Sequence, residues 1–161
     1  MRKKLCLILV AVWGMALLAG CSGEAQNAVP SLPQSEATHE TDKKEQATMK
    51  MNVQIGGQIF TATLADTKAA QEFAQMLPMT ITLNDYSGFE KVGSLGRSLT
   101  TSNSQITTVA GDIVLYNSSN IVMFYGSNSW SYTRLGKIDD LTGWADALGH
   151  GSVSVIFTLA D

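Results

Sequence analysis

The sequence predicts a mainly β fold, a closed barrel with one or two capping helices, preceded by a signal segment and a flexible linker. Three observations predict it. Short runs of alternating apolar and polar residues recur from about residue 50 to the C-terminus. Only two segments, near 66–77 and 141–148, carry helical spacing. Many short strands in so small a domain also favour closure, which removes the exposed edges that invite aggregation.

The chain opens with Arg2, Lys3 and Lys4, then an apolar stretch from Leu5 to Leu18 too short to be read as a membrane span. Leu18-Ala19-Gly20-Cys21 closes it. That order resembles the lipobox of bacterial lipoproteins. The resemblance implies that Cys21 is lipidated and becomes the first mature residue, with the protein anchored outside the cytoplasmic membrane. Ser22 leaves an outer membrane open as the destination where one exists. The competing reading is an ordinary secretory signal with Cys21 a stray thiol.

Residues 1–20 are thus expected to be a signal segment, residues 21–48 a lipid site and linker, and residues 49–161 the folded domain. Loss of residues 1–20 removes three positive charges, so the formal charge of -3 becomes -6. No basic surface remains to suggest a nucleic-acid partner or a polybasic membrane patch, so attachment falls to acyl chains. Cys6 lies in the signal and Cys21 is the lipid site, so the domain has no thiol for a disulfide, a metal site or a nucleophile. Residues 22–48 hold two of the three prolines and few apolar residues; they read as a tether, with His39, Lys43, Lys44 and Glu45 as solvated linker residues.

Met51, Val53 and Ile55 alternate with polar neighbours, Gly56-Gly57 supplies a tight turn, and Phe60, Ala62 and Leu64 alternate again: a hairpin. Asp66 offers an N-cap to a helix carrying Ala69, Ala70, Phe73, Ala74, Met76 and Leu77, which Pro78 stops. Met79, Ile81 and Leu83 form the next strand, ended by Asn84-Asp85 and Ser87-Gly88. Residues 93–111 read mostly as irregular loop. Ile113–Tyr116 and Ile121–Tyr125 flank Asn117-Ser118-Ser119-Asn120 as a second hairpin, and residues 126–134 read as an exposed loop. A short helix around Leu141–Leu148 is stopped by Gly149, and Val153, Val155, Phe157 and Leu159 mark the final strand. No internal repeat is visible.

From Leu77 to Ile138 the order of blocks resembles a family of small bacterial cyclophilin-like domains. The blocks are Leu77-Pro78 with Met79-Thr80-Ile81-Thr82-Leu83, Glu90-Lys91, Gly111-Asp112-Ile113-Val114-Leu115-Tyr116, Asn120 to Gly126, and Arg134-Leu135-Gly136-Lys137-Ile138. The resemblance implies a closed eight-stranded barrel with helices over its ends. It does not carry the catalytic activity across. Catalytic cyclophilins use a Phe-His-Arg motif whose arginine stabilises the twisting prolyl peptide, and no Phe-His-Arg occurs here. Arg97 and Arg134 are the domain's only arginines, and neither has that context.

Other constellations are weak. His150 lies between two glycines, with no Gly-x-Ser-x-Gly elbow to supply a nucleophile. Glu90-Lys91 reads as an exposed charge pair, with a polar pair at a groove mouth as the alternative. Asp139-Asp140 reads as cap and dipole complement to the short helix, and calcium would need further oxygen ligands. Gly93-Ser94-Leu95-Gly96-Arg97 lacks the Gly-Lys-Ser/Thr ending of a phosphate loop.

The aromatic cluster is the richest feature: Phe124, Tyr125, Trp130 and Tyr132 fall within nine residues, broken by Gly, Ser and Asn. Trp130 and Tyr132 either form a recognition surface or fold over the barrel as a plug. Arg134 would add a cation to such a surface. The sequence therefore predicts a non-catalytic module, displayed on a lipid-anchored tether, that binds a peptide or small molecule. Tyr116, Phe124, Trp130, Tyr132 and Arg134 are the candidate ligand-binding residues, and no catalytic, metal or cofactor site is assigned. The alternatives are a divergent prolyl isomerase acting on exported proteins, and a structural envelope component that associates through a barrel face.

Overall fold

The structure is a computed structural model that describes residues 48–161. The signal segment, Cys21, His39 and the linker through residue 47 lie outside the described residues. Nine strands and two short helices follow one another among them. They are β1 (Lys50–Ile55), β2 (Gln58–Leu64), α1 (Lys68–Ala74), β3 (Met79–Tyr86), β4 (Glu90–Ser94), β5 (Ser104–Thr107), β6 (Asp112–Tyr116), β7 (Asn120–Phe124), β8 (Ser129–Ile138), α2 (Trp144–Leu148) and β9 (Val153–Leu159).

Eight of the strands close into an antiparallel barrel in the order β2-β1-β9-β3-β4-β7-β6-β8, with β8 pairing back onto β2. The ninth, β5, pairs only with the first half of β8. The β1–β2 hairpin turns at Gly56-Gly57, where Gly56 takes φ 57, a conformation that costs glycine little. Closure is tight at Gly136: a Cβ there would sit 2.7 Å from the Thr63 carbonyl oxygen, so only glycine lets β8 approach β2 this closely.

Alternation sorts the side chains. Met51, Val53, Ile55, Ala62, Leu83, Ile113, Leu115, Ile121, Met123, Val155 and Phe157 fill the barrel interior. Leu159, expected to share their face, is exposed at the end of β9. Helix α1 buries Ala69, Ala70, Phe73 and Ala74, and the Phe73 ring meets that of Phe157 edge-on at 5.5 Å. In α2, Trp144 meets Phe60 edge-on at 5.1 Å and donates its indole N–H to the Phe124 carbonyl at 2.9 Å.

Val114, Val122, Phe124 and Tyr132 form a second buried cluster, on the outer face of β6 and β7, with Ile106 of β5 packed against it. The ninth strand and the start of β8 exist to cover this face.

Several expectations are corrected. The α1 cap is Thr67, not Asp66: its hydroxyl accepts from the Ala70 N–H at 3.1 Å. β3 continues through Asn84-Asp85 to Tyr86 because Asp85 is paired with Lys91 of β4, and the turn waits for Ser87-Gly88. The supposed loops 93–111 and 126–134 contain β5 and the start of β8. Their residues are too polar to alternate visibly, yet the β5–β8 ladder pairs Ser104 to Thr107 with Tyr132 to Ser129. Asp139 and Asp140 do not cap α2, whose N-cap is Gly143. Asp139 instead accepts from Lys50 at 2.8 Å and from the Thr63 hydroxyl at 2.6 Å, and Asp140 from the Thr142 N–H at 2.9 Å.

Candidate functional site

The site begins with two adjacent charges on β4. A strand points successive side chains to opposite faces, so Glu90 and Lys91 cannot share an environment. Lys91 pairs with Met123 across the ladder and faces inward; Glu90 pairs with Phe124 and faces outward. The expectation of an exposed charge pair is therefore overturned: both residues are buried, on different sides of the wall.

Lys91 is fully buried, and all three of its donors are used. Its ammonium donates to Asp85 Oδ2 at 2.7 Å, to the Gly149 carbonyl at 2.9 Å and to the Gly151 carbonyl at 2.8 Å. It also lies 5.5 Å from the Tyr125 ring centroid. The Tyr125 hydroxyl donates to the same Asp85 oxygen at 2.8 Å. These bonds hold the Asp85 carboxyl below the usual carboxylate range, the Lys91 bond most of all. Burial first, and then the bond to Asp85, push the Tyr125 hydroxyl up to about 12. The cluster ties the loop around His150 to β3 and β4, and its polar groups satisfy one another.

Glu90 has no such set of partners. It is only 6% exposed, and its Oε2 is the one buried side-chain nitrogen or oxygen among the described residues that makes no hydrogen bond. Burial pushes its carboxyl up to about 7. An unpaired buried carboxylate is costly, and the group responds by holding its proton more tightly.

Glu90 lines a cleft of about 320 Å³ on the outer face of the barrel. Val92 and Val122 supply the apolar wall beside it, and Tyr86, Tyr116, Trp130, Tyr132 and Asn128 complete the lining. Two of the aromatics, Tyr116 and Tyr132, are held by ring contacts. Tyr132 is buried, edge-on to Tyr116 at 6.0 Å and to Phe124 at 5.7 Å, and its hydroxyl accepts from the Asn128 side-chain amide at 3.0 Å. Burial, with the nearby Glu90 adding to it, raises the Tyr132 hydroxyl above its ordinary value. Trp130 is 56% exposed and stands on the rim.

The five candidate residues are thus divided. Tyr116, Trp130 and Tyr132 share the cleft. Phe124 is fully buried behind Tyr132 and supports it without lining the cleft. Arg134 does not join the aromatics: its guanidinium lies 3.9 Å from Asp112 Oδ2 and borders a separate hollow with Thr63, Lys137 and Asp139. Trp130 and Tyr132 split the two readings left open by the sequence, since Tyr132 is packed in and Trp130 is displayed.

Tyr86 and Asn128 are lining residues that the sequence does not single out, and Glu90 enters there only in the less favoured reading of Glu90-Lys91 as a polar pair at a groove mouth. One signal pointed to Glu90: in a strand Glu90-Lys91-Val92 bounded by partners on both edges, two adjacent charges must take opposite faces. Asn128 sat in a stretch read as loop. Among the described residues no group of three or more His, Cys, Asp or Glu side chains is placed to hold a metal ion. No described helix is long and apolar enough to cross a membrane.

Residues 53–159 match the model of a family described as the cyclophilin-like family. Among solved structures, a hypothetical protein from Archaeoglobus fulgidus, known in solution, is similar with a TM-score of 0.56 and 14% identity. The match covers 73% of this chain and 99% of that one, and it speaks for the barrel fold alone. No curated protein matches the chain.

Proposed function

The chain belongs to the cyclophilin-like family, and we propose that it is a membrane-anchored, extracytoplasmic lipoprotein whose barrel binds a peptide segment or small molecule without acting on it chemically. The binding site of this reading is the outer cleft of Tyr116, Trp130 and Tyr132. The observation that carries it is the combination of an apolar wall, several aromatic faces and one unpartnered polar group in a single concavity, the usual make-up of a small-ligand site.

The non-catalytic part rests on what lines the cleft. Prolyl isomerisation must lower a barrier of about 18–20 kcal/mol, which calls for a donor aimed at the rotating amide. Neither Arg97 nor Arg134 lines the cleft, and its ionisable groups are Glu90 and tyrosines. The anchoring part rests on the Leu18-Ala19-Gly20-Cys21 order.

A thermal-shift screen against peptides and metabolites tests the binding function. A ligand at a hundred times its dissociation constant stabilises the folded state by roughly 2.7 kcal/mol. This reading predicts at least one compound that stabilises the protein and does not stabilise Trp130→Ala. Stabilisation that survives Trp130→Ala undiminished for every hit, or no hit at all, would count against it.

A further inference from the structure

We propose that the ligand of the Glu90 cleft carries a protonated amine, which pairs with the Glu90 carboxylate while the surrounding aromatic faces take up the rest of the group. This rests on the cleft being the binding site, and it names the chemistry that the cleft selects.

Three observations converge. The first is Glu90 itself, nine-tenths buried, lining the cleft and without a hydrogen bond at Oε2. A carboxylate in that state gains more from a cation than an exposed one does, because its solvation has already been given up. The second is that no lysine or arginine among the described residues lines the cleft. Lys91 faces the other side of the sheet with its three donors used, and the Arg134 guanidinium is at Asp112. The third is the wall. Tyr86, Tyr116, Trp130 and Tyr132 line the same cleft as Glu90, and aromatic rings attract an organic cation through their quadrupoles.

Size narrows the choice further. At about 320 Å³ the cleft suits a side-chain-sized group or a small amine. An anionic ligand would meet Glu90 with like charge, and no cation lines the cleft to reward it. The tendency of burial to push this carboxyl up to about 7 agrees with the same picture, since a bound cation supplies the partner whose lack favours the proton.

Benzylammonium, benzyl alcohol and benzoate make a matched set of probes, followed by the tryptophan emission that Trp130 contributes from the rim. Benzylammonium is expected to bind saturably and at least about tenfold more tightly than benzyl alcohol, with benzoate weakest. Glu90→Gln is expected to remove the preference of ammonium over alcohol. The comparison among the three probes on the unaltered protein decides the matter even if Glu90→Gln folds poorly. Equal affinity for ammonium and alcohol, or a preference that persists in Glu90→Gln, would overturn the inference. Binding of the alcohol without preference leaves the cleft as a ligand site and rejects only the amine; binding of none of the three rejects both.

Discussion

Glu90 and Lys91 are consecutive residues of β4 whose charged groups lie on opposite sides of one sheet. The Lys91 ammonium is 2.7 Å from Asp85 on the inner side, and the Glu90 carboxyl is buried on the outer side without a partner at Oε2. The inner charge is satisfied and structural. The outer one belongs to a residue that lines the cleft.

Glu90 should make the protein less stable as pH rises. Its carboxyl has an ordinary value of 4.5 and is raised to about 7 in the fold by burial. Below 4.5 it is protonated in both states and contributes nothing adverse. Between 4.5 and about 7 the folded state keeps a proton that the unfolded state has released, so stability falls with rising pH through that window. The full loss is on the order of 3 kcal/mol. Glu90→Gln should therefore be more stable than the natural protein at roughly pH 8 and nearly equal to it below about pH 5, as read from denaturant midpoints across pH.

Lys91→Met should destabilise at every pH near neutrality. It leaves Asp85 without its ammonium and orphans the Gly149 and Gly151 carbonyls, at a cost of about 2–4 kcal/mol. Combining it with Asp85→Asn should cost less than the sum of the two single changes, because the pair is then removed together. Chemical denaturation of the four proteins measures the coupling.

Gly136→Ala should cost about 1–3 kcal/mol, since the added methyl meets the Thr63 carbonyl oxygen at 2.7 Å where the barrel closes. Gly57→Ala is the control: a Cβ there meets nothing within 4 Å. Its unfolding midpoint should stay close to that of the natural protein.

On the proposed lipoprotein reading, Cys21→Ser should release the protein from the membrane fraction, because the thiol that would carry the acyl chains is gone. Cell fractionation followed by immunoblotting reads the change. Continued sedimentation of Cys21→Ser with membranes would argue for another mode of attachment.

The barrel was legible where one face of a strand is apolar and the other polar. Residues 51–55, 60–64 and 153–157 carry that contrast and lie in β1, β2 and β9, while the apolar runs 113–116 and 121–124, buried on both faces, lie in β6 and β7. It was illegible where a strand covers an outer cluster instead of the core. β5, with Ser104, Gln105 and Thr107 around Ile106, offers one apolar side chain, and its pairing with β8 comes from backbone hydrogen bonds that composition does not announce. The cleft was half legible for the same reason. Aromatics stand out in any sequence, so Tyr116, Trp130 and Tyr132 were found, whereas a buried glutamate looks like any surface charge until its strand neighbours are known. Arg134 shows the converse error: closeness in sequence to Tyr132 did not bring its guanidinium into the cleft.

The most direct test of the binding site compares the indole N–H signals of Trp130 and Trp144 by NMR as benzylammonium is added. Trp130 stands on the rim of the cleft, while the Trp144 indole is buried and bonded to the Phe124 carbonyl at 2.9 Å. A cleft that binds the amine predicts a progressive, saturating shift of the Trp130 signal with the Trp144 signal unmoved. A saturating shift at Trp144 with Trp130 unchanged, or no shift at either, would contradict it.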